Sequence, residues 1–279
     1  MPELPEVETI VKGLAKTIIG LPIDKVDICY PKIVNFPNIK HTTNVKKCCA
    51  LNDMLQGDSF SSIERHGKYI KLATAKGSRF VVHLRMTGQL LYMPESYAAD
   101  KHVHLRIIFN NGWQLAYRDT RQFGRWIIVP DDKDFEDYIN AGPDALSISK
   151  KELAAMAGRH KKRKLKAFLL DQTILAGVGN IYADEICFLL GLDPEVPVSK
   201  VNSAALHAAI IKVLKMGIKN RGTSIVDYIT ADGTPGNFQN LLNVYMQKTC
   251  KQCGTEIIRK KVAGRTSHVC PKCQSLLTG

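Results

Sequence analysis

The sequence of 279 residues predicts an α+β protein built from several domains. A helical apolar pattern opens the chain, short β-rich segments separated by glycines run to about residue 130, and apolar helical segments follow residue 150. Two cysteine pairs close the chain. We therefore expect an N-terminal antiparallel β-sandwich with an N-terminal helix, then a C-terminal helical domain, and finally a four-Cys β-hairpin.

The first helix is predicted directly behind the N-terminus. Pro5 suits its first turn, Glu6 suits the positive end of its dipole, and Gly20 ends the pattern. Its apolar residues recur at helical spacing and are Val7, Ile10, Val11, Leu14 and Ile18. Such a helix would hold the terminal residues in one place.

The sandwich is predicted from short segments rich in β-branched and aromatic residues. Such segments occur from about residue 23 to residue 130 and include residues 68–73, 79–84, 102–109 and 126–129. No helical pattern interrupts residues 23–130, which favours antiparallel strands. Later in the chain, apolar runs predict helices at residues 165–170, 181–190 and 206–218.

Domain boundaries are predicted where the composition changes. We expect the sandwich domain at residues 1–135, a linker at 136–149, a helical domain at 150–240 and a finger at 241–279. No apolar run is long enough to span a membrane and no signal segment opens the sequence, so we expect a cytoplasmic protein.

Basic residues are concentrated in the second half of the chain. Residues 1–150 hold 20 Lys+Arg against 17 Asp+Glu, and the remainder holds 39 − 20 = 19 against 26 − 17 = 9. This imbalance predicts a polyanionic partner, such as nucleic acid, that binds mainly the C-terminal half.

The C-terminal cysteines predict a structural zinc site. The pairs Cys250-x2-Cys253 and Cys270-x2-Cys273 are separated by sixteen residues, a spacing typical of a tetrahedral four-thiolate site. The residues between the pairs read as a β-hairpin with too small a core to fold alone, so one Zn²⁺ would supply its stability. The remaining cysteines are expected to be small buried hydrophobic residues and are Cys29, Cys48, Cys49 and Cys187.

The N-terminal residues carry the equipment for amine catalysis. Once Met1 is removed, Pro2 has a secondary amine that can attack an electrophilic carbon, and Glu3 places a carboxyl group beside it. The alternative is an inert terminus in which Glu3 only caps the helix. The residues themselves leave both interpretations open.

Three other segments suggest contacts with nucleic acid. Residues 159–166 hold six Lys/Arg in eight positions and precede a glycine-rich break that ends at Asn180, where phosphate could approach the backbone. Two sandwich loops place Met86 in one turn and Arg121 with Phe123 in another. Such side chains can enter a base stack, although core positions for Met86 and Phe123 are the alternative.

Taken together, these residues resemble the bacterial formamidopyrimidine-DNA glycosylase family, also called MutM. The resemblance covers nearly the whole chain. The matching blocks are PELPEVE at 2–8, HGKY at 66–69, HLRMTG at 83–88, DTRQFG at 119–124, GVGNIYADE at 177–185 and CPKCQ at 270–274. The resemblance implies a helix–two-turn–helix in the helical domain. It also implies a monomeric bifunctional glycosylase and AP lyase of base excision repair, which removes oxidised purines such as 8-oxoguanine and formamidopyrimidines from damaged duplex DNA and does not act on membranes.

The resemblance also assigns roles to single residues. Pro2 would form the Schiff base, Glu3 would assist opening of the sugar ring, Lys68 would serve the β-elimination, and Arg265 would bind the phosphate at the lesion and serve the δ-elimination. The positions implied to fill the gap left by the flipped base are Met86, Arg121 and Phe123. The positions implied to contact the DNA backbone are His102, Lys161 and Asn180. The carboxylates implied to line the site are Glu6 and Glu185.

Two departures and two alternatives remain open. Residues 162–166 read KRKLK where the family usually has a Lys-Thr pair, so the phosphate contact could fall to Lys161, Lys162 or Lys164. The segment 244–250 is shorter than the family's usual approach to the first cysteine. The alternatives are an endonuclease VIII-like glycosylase for oxidised pyrimidines and a non-catalytic zinc-finger protein that binds DNA.

Overall fold

The computed structural model describes residues 1–35, 44–97 and 100–274. Its helices are α1 (Leu4–Ala15), α2 (Asn44–Leu55), α3 (Lys150–Arg159), α4 (Leu165–Leu170), α5 (Asn180–Leu189) and α6 (Ser203–Lys219). Its strands are β1 (Ile23–Ile28), β2 (Val34–Asn35), β3 (Phe60–His66), β4 (Tyr69–Thr74), β5 (Arg79–His83), β6 (Gly88–Pro94), β7 (Val103–Phe109), β8 (Trp113–Asp119), β9 (Arg125–Val129), β10 (Ile258–Val262) and β11 (Arg265–Val269).

Strands β1–β9 form two sheets that share one apolar core. One sheet has the order β1-β7-β8-β6 and the other has the order β2-β9-β5-β4-β3. All pairings are antiparallel except the short parallel pair of β2 with β9. Phe80, Trp126 and Leu105 from the two sheets lie in the same core cluster as Val7 and Ile10 of α1. The predicted β-sandwich with an N-terminal helix is confirmed.

Helix α2 contradicts the expectation that no helix interrupts the strands. Leu51 and Leu55, four residues apart, are fully buried, and the Asn52 side chain accepts a hydrogen bond from the backbone N–H of Val26 in β1 at 2.9 Å. Two buried leucines are too weak a periodic signal to detect from sequence, and packing against β1 supplies most of the stability of such a helix.

The chain divides into two compact units. The first comprises Met1–Asn140 together with Arg221–Gly236, and the second comprises Ala141–Asn220 together with Asn237–Gly279. The second unit contains helices α3–α6 and the β10–β11 hairpin. Residues 221–236 thus group with the sandwich, whereas our domain prediction places them in the helical domain. The exact domain boundaries remain predictions.

Two smaller observations complete the fold. Cys187 is buried as expected, but Cys29 and Cys49 are exposed, which corrects the expectation that they are buried hydrophobic residues. The side chain of Cys48 lies outside the described residues. In the part of the chain that the structure describes, no helix has the length and apolar composition needed to cross a membrane.

Candidate active site and nucleic-acid interface

The N-terminal residues are fixed at the start of α1. Pro2 and Glu3 are buried, while Met1 is 52% exposed. Glu3 occupies the position just before the helix, and its backbone N–H donates to the Glu6 carboxylate at 2.8 Å. The helix therefore holds the terminal residues in place, as the sequence predicts.

The other carboxylate oxygen of Glu6 binds a distant loop. Glu6 Oε1 accepts a hydrogen bond from the backbone N–H of Thr223 at 2.7 Å, and the Tyr228 hydroxyl donates to the Arg221 carbonyl at 3.0 Å. Gly222 has a φ of +80°, and a Cβ there would lie 2.9 Å from both Glu6 and Tyr228. Only glycine allows this close approach, so the loop is closely packed against the N-terminal helix.

Lys68 lies in the tight turn between β3 and β4 and is buried. The same turn is tied to α1, because Arg65 Nε donates to Glu8 Oε2 at 2.7 Å. Burial, together with the positive charges of Arg85 and Lys68, lowers the pKa of His83 to about 3. His83 is therefore neutral at neutral pH, and its Nδ1 accepts a hydrogen bond from the Arg85 N–H at 2.9 Å.

The two sandwich loops bring their predicted residues into contact. Met86 is 41% exposed and Phe123 is 48% exposed, so neither is a core residue. The Arg121 guanidinium donates to the Met86 sulfur at 3.1 Å and lies 4.6 Å from the centre of the Phe123 ring. We call Met86, Arg121 and Phe123 the wedge residues, because together they form one exposed cluster of apolar and cationic groups.

His102 lies at the start of β7 and is half-buried. Its backbone N–H donates to the Asp100 carboxylate at 2.8 Å, and its carbonyl accepts from the Asp119 N–H at 2.9 Å. The backbone is therefore fixed on both sides of the imidazole.

In the second unit, Asn180 begins α5 beside the finger hairpin. Its Nδ2 donates to the Thr266 carbonyl at 3.1 Å. A cleft of about 430 Å³ opens here, and its lining includes Asn180, Tyr245, Arg259, Arg265 and His268. Two exposed arginines beside a helix N-terminus form a setting that suits a phosphate group.

In the basic run at 159–166, some side chains form ion pairs within the protein and others are exposed to solvent. Arg163 pairs with Asp171 at 2.6 Å and Lys164 pairs with Glu195 at 2.5 Å. Lys161 and Lys162 are exposed and make no ion pair with any described residue. Lys161 and Lys162 are thus better placed than Lys164 to bind a partner.

Lys166 belongs to the interior. It is fully buried, and its ammonium donates to Asp184 at 2.6 Å, to Ser267 Oγ at 2.7 Å and to the Thr266 carbonyl at 3.1 Å. The second oxygen of Asp184 accepts from the His268 N–H at 3.0 Å. This network joins α4, α5 and β11, and β11 begins with Arg265. Lys166 is therefore not part of the basic binding surface that the run at 159–166 predicts, and Asp184 is a functional partner that the sequence motifs did not indicate.

Glu185 holds the segment that leads to the finger. Its buried carboxylate accepts hydrogen bonds from the backbone N–H groups of Asn243, Val244 and Tyr245 at 2.9–3.0 Å. In this structure the carboxylate therefore organises the protein's own backbone. Asp184 and Glu185 are the last two residues of the motif GVGNIYADE. This motif was the sequence feature that could have indicated both acidic residues, because it includes the first half of a buried helix.

The four cysteines of the finger form one cluster. All four sulfur atoms lie within 4.8 Å of one another, and Cys253 and Cys270 have their sulfur atoms 3.5 Å apart. A disulfide would require ~2.0 Å, whereas thiolates at ~2.3 Å from one tetrahedral zinc lie ~3.8 Å apart. The apolar residues packed around the cluster are few, namely Phe188, Val244 and Ile257. The cluster fits one structural Zn²⁺, which would stabilise the hairpin.

Three family models match successive parts of the chain. Residues 1–126 match the formamidopyrimidine-DNA glycosylase N-terminal domain, residues 141–228 match the H2TH domain of the same enzymes, and residues 247–276 match the zinc finger found in FPG and IleRS. The predicted helix–two-turn–helix is thereby confirmed. The chain belongs to the formamidopyrimidine-DNA glycosylase family.

Full-length relatives agree with the family models. The chain is 39% identical to the formamidopyrimidine-DNA glycosylase of Desulforamulus reducens, with 98% of this chain and 99% of the relative covered. It is 40% identical to that of Carboxydothermus hydrogenoformans, with 98% and 100% covered. A solved complex of Lactococcus lactis Fpg with DNA containing an abasic site is 34% identical, has a TM-score of 0.84, and matches over 98% of this chain and 99% of its own.

As a member of the family, the chain is a bifunctional DNA glycosylase and AP lyase of base excision repair that acts on oxidised purines. The sequence-based prediction of family, fold, enzyme class, structural zinc and DNA partner is confirmed.

The buried Lys166–Asp184 pair should be essential for the stability of the second unit. Lys166→Met leaves the Asp184 charge unpaired, so we expect the free energy of unfolding to fall by about 3–5 kcal/mol. Adding Asp184→Asn removes that charge but keeps an acceptor for His268, and should recover part of the loss. Lys164→Met breaks an exposed pair and should cost about 0–1 kcal/mol. Chemical denaturation followed by circular dichroism measures all three, and equal losses at positions 164 and 166 would contradict this account.

Removal of the metal should unfold the finger hairpin of the second unit and leave the sandwich folded. The protein should hold one zinc per chain, and chelation should abolish binding to lesion-bearing duplex because the hairpin that carries Arg265 loses its core. Both tryptophans, Trp113 and Trp126, lie in the sandwich, so their fluorescence should not change. Fluorescence anisotropy measures duplex binding. Unaltered affinity after verified loss of the metal would refute the expectation.

Proposed function

We propose that this enzyme excises the damaged base by direct attack of the Pro2 amine on C1′ of the nucleotide. The observation that carries the proposal is the position of Pro2, which is buried at the start of α1 next to a backbone that Glu6 holds. Once Met1 has been removed, the secondary amine can form a bond to C1′ as the bond to the base breaks. Glu3 is the neighbouring acid that protonates the sugar ring oxygen as the ring opens.

The covalent intermediate also explains strand cleavage. Nitrogen bonded to C1′ forms an iminium, which withdraws electrons and makes the C2′ proton acidic. Removal of that proton expels the 3′ phosphate in β-elimination, and a second elimination expels the 5′ phosphate. We assign the first proton transfer to Lys68 and the stabilisation of phosphate during the second to Arg265. A buried lysine in a turn tied to α1 through Arg65 and Glu8 suits this role.

A base inside a duplex cannot reach Pro2, so the nucleotide must be extruded. Extrusion costs a few kcal/mol of stacking and pairing, which inserted side chains offset by filling the gap. We assign this task to the wedge residues. Their exposure and mutual contacts support the assignment, since an apolar Met86 and Phe123 flanking a guanidinium can replace a base pair.

The DNA backbone requires cationic and amide donors. We assign phosphate contacts to Arg265 and Asn180 in the cleft of the second unit, to Lys161 on its surface, and to His102 in the sandwich. Lys161 is favoured over Lys164, because Lys164 is paired with Glu195. We propose that Glu6 and Glu185 shape the site by fixing backbone segments. We propose that the enzyme acts on DNA in the cytoplasm.

The preferred lesions are proposed from the relatives. One solved complex of the Lactococcus lactis enzyme contains DNA with N7-benzyl-Fapy-dG. We propose that this chain likewise accepts formamidopyrimidines and 8-oxoguanine. Excision from a panel of duplexes that carry 8-oxoguanine or thymine glycol tests this, because an enzyme for oxidised pyrimidines would favour the second.

The nucleophile is tested by reductive trapping. With borohydride present, the mature enzyme should form a covalent adduct with duplex that carries 8-oxoguanine, since borohydride reduces the iminium to a stable amine. Pro2→Gly and a form that retains Met1 should lose at least about 100-fold in adduct yield, a loss in keeping with removal of a nucleophile. Gel electrophoresis of labelled DNA measures the adduct. If the mature wild-type protein forms none, the proposal is wrong.

Lys68 is tested by comparison with another lysine of the sandwich. Lys68→Ala should lower the single-turnover rate of strand cleavage by about 100-fold, the size typical of a lost acid or base, with little change in duplex affinity. Lys76→Ala, at the exposed turn between β4 and β5, should have no such effect. A cleavage rate that is equal in the two variants would exclude the proposed role.

A further inference from the structure

Asp119 lies beneath both loops that carry the wedge residues. It is fully buried at the end of β8, where it faces Gly88 at the start of β6. Its backbone is fixed as well, because its carbonyl accepts a hydrogen bond from the His104 imidazole at 2.8 Å. The carboxylate therefore has a defined position on the sheet, below two exposed turns.

Both carboxylate oxygens are occupied by groups from the two loops. Oδ1 accepts from the Thr87 hydroxyl and from the Arg121 N–H, the latter at 3.2 Å. Oδ2 accepts from the Gly124 N–H at 2.8 Å and from the Tyr117 hydroxyl at 3.1 Å. Although burial alone would raise it, these four hydrogen bonds hold the pKa of Asp119 below its usual range.

Apart from Tyr117 of β8, the partners of the Asp119 carboxylate are a wedge residue or direct neighbours of wedge residues. Thr87 follows Met86, Gly124 follows Phe123, and the N–H of Arg121 binds the carboxylate itself. The Thr87 hydroxyl also accepts from the Arg121 N–H at 3.2 Å, which links the two loops a second time. Thus each wedge residue either hydrogen-bonds to the Asp119 carboxylate itself or is followed in the chain by a residue that does.

The backbone around this carboxylate is strained or closely packed. Arg85 and Gln122, one in each loop, have φ angles of 53° and 58°, which non-glycine residues rarely adopt. A Cβ at Gly124 would lie 1.7 Å from the Tyr117 hydroxyl, so only glycine fits there. Such conformations persist only where surrounding contacts impose them, and three of the hydrogen bonds of Asp119 tie both loops to one buried carboxylate.

We propose that Asp119 is the positioning residue that makes the two wedge loops one rigid unit, so that extrusion of the damaged nucleotide depends on this carboxylate. The inference rests on the proposed role of the wedge residues. Asp119 touches neither the sugar nor Pro2 in this account. Its loss should therefore impair the steps that need a filled gap in a duplex and spare the chemistry at the terminal amine.

The test compares duplex DNA with single-stranded DNA, since a single strand needs no pairing broken and no gap filled. Asp119→Asn replaces an acceptor oxygen by an NH₂ donor that faces other donors. We expect the rate of borohydride trapping on duplex 8-oxoguanine to fall by at least about tenfold, as expected for misplaced contact groups. Trapping on a single-stranded oligonucleotide with an abasic site should stay within about twofold, because Schiff-base formation at Pro2 is untouched.

Two further variants complete the experiment. Asp58→Asn is the matched control, because Asp58 is an equally buried carboxylate that accepts backbone N–H groups of Ser59 and Lys76 at an unrelated turn. It should leave the ratio of duplex to single-strand rates unchanged. Thr87→Val removes only one hydroxyl and keeps the shape, so it should lower the duplex rate by about threefold or more even if Asp119→Asn fails to fold.

The outcomes separate the two proposals. A loss confined to duplex substrate supports the positioning role of Asp119. The positioning role is wrong if the trapping rate falls equally on both substrates. It is also wrong if neither Asp119→Asn nor Thr87→Val lowers the trapping rate on duplex. If wild-type protein gives no trapped adduct even on the single-stranded abasic site, the proposed Pro2 chemistry fails, whatever the variants do.

Discussion

A buried carboxylate is tolerated only when hydrogen-bond donors surround it, and this constraint organises the N-terminus, the wedge loops and the approach to the finger. Glu6 accepts from the N-terminal backbone and from Thr223, and Asp119 accepts from the two wedge loops and from β8. Asp184 accepts from Lys166 of α4 and from the finger hairpin, and Glu185 accepts from the segment before the finger. Glu6, Asp119 and Glu185 each lie on a helix or at a strand end and fix irregular backbone nearby. The backbone of these loops is thereby held in a fixed position by the helices and strands beneath it.

This arrangement gives the same residue type two different tasks. Glu3 and the carboxylates around it are close in sequence, yet the resemblance assigns chemistry to Glu3, while Glu6 holds backbone. Both oxygens of Glu6 accept backbone N–H groups, one from Glu3 and one from Thr223, so this carboxylate is well suited to maintain geometry. The lysines divide in the same way, since Lys166 is enclosed and Lys161 is free to meet a polyanion.

Sequence reasoning recovered the fold class, the helices around residues 165–218 and the metal site, because apolar periodicity and cysteine spacing are local signals. It did not recover α2, whose stability depends on packing against β1. It also treated the basic run as one surface, although Lys166 points inward. Whether a charge is buried depends on partners distant in the chain, such as Asp184 and Ser267, and no window of sequence contains that information. Asp119 stood within a recognised motif, but its four partners come from three segments.

The hydrogen bond between Glu6 and the Thr223 N–H spans 217 residues of chain. Contacts of such sequence separation form late, because the intervening segment must first be in place. During synthesis, therefore, the terminal helix leaves the ribosome long before the residue that locks its carboxylate exists. The terminal amine, our proposed nucleophile, is thus kept in an unfinished setting until nearly the entire polypeptide has been made, so a truncated product would carry this amine without its framework.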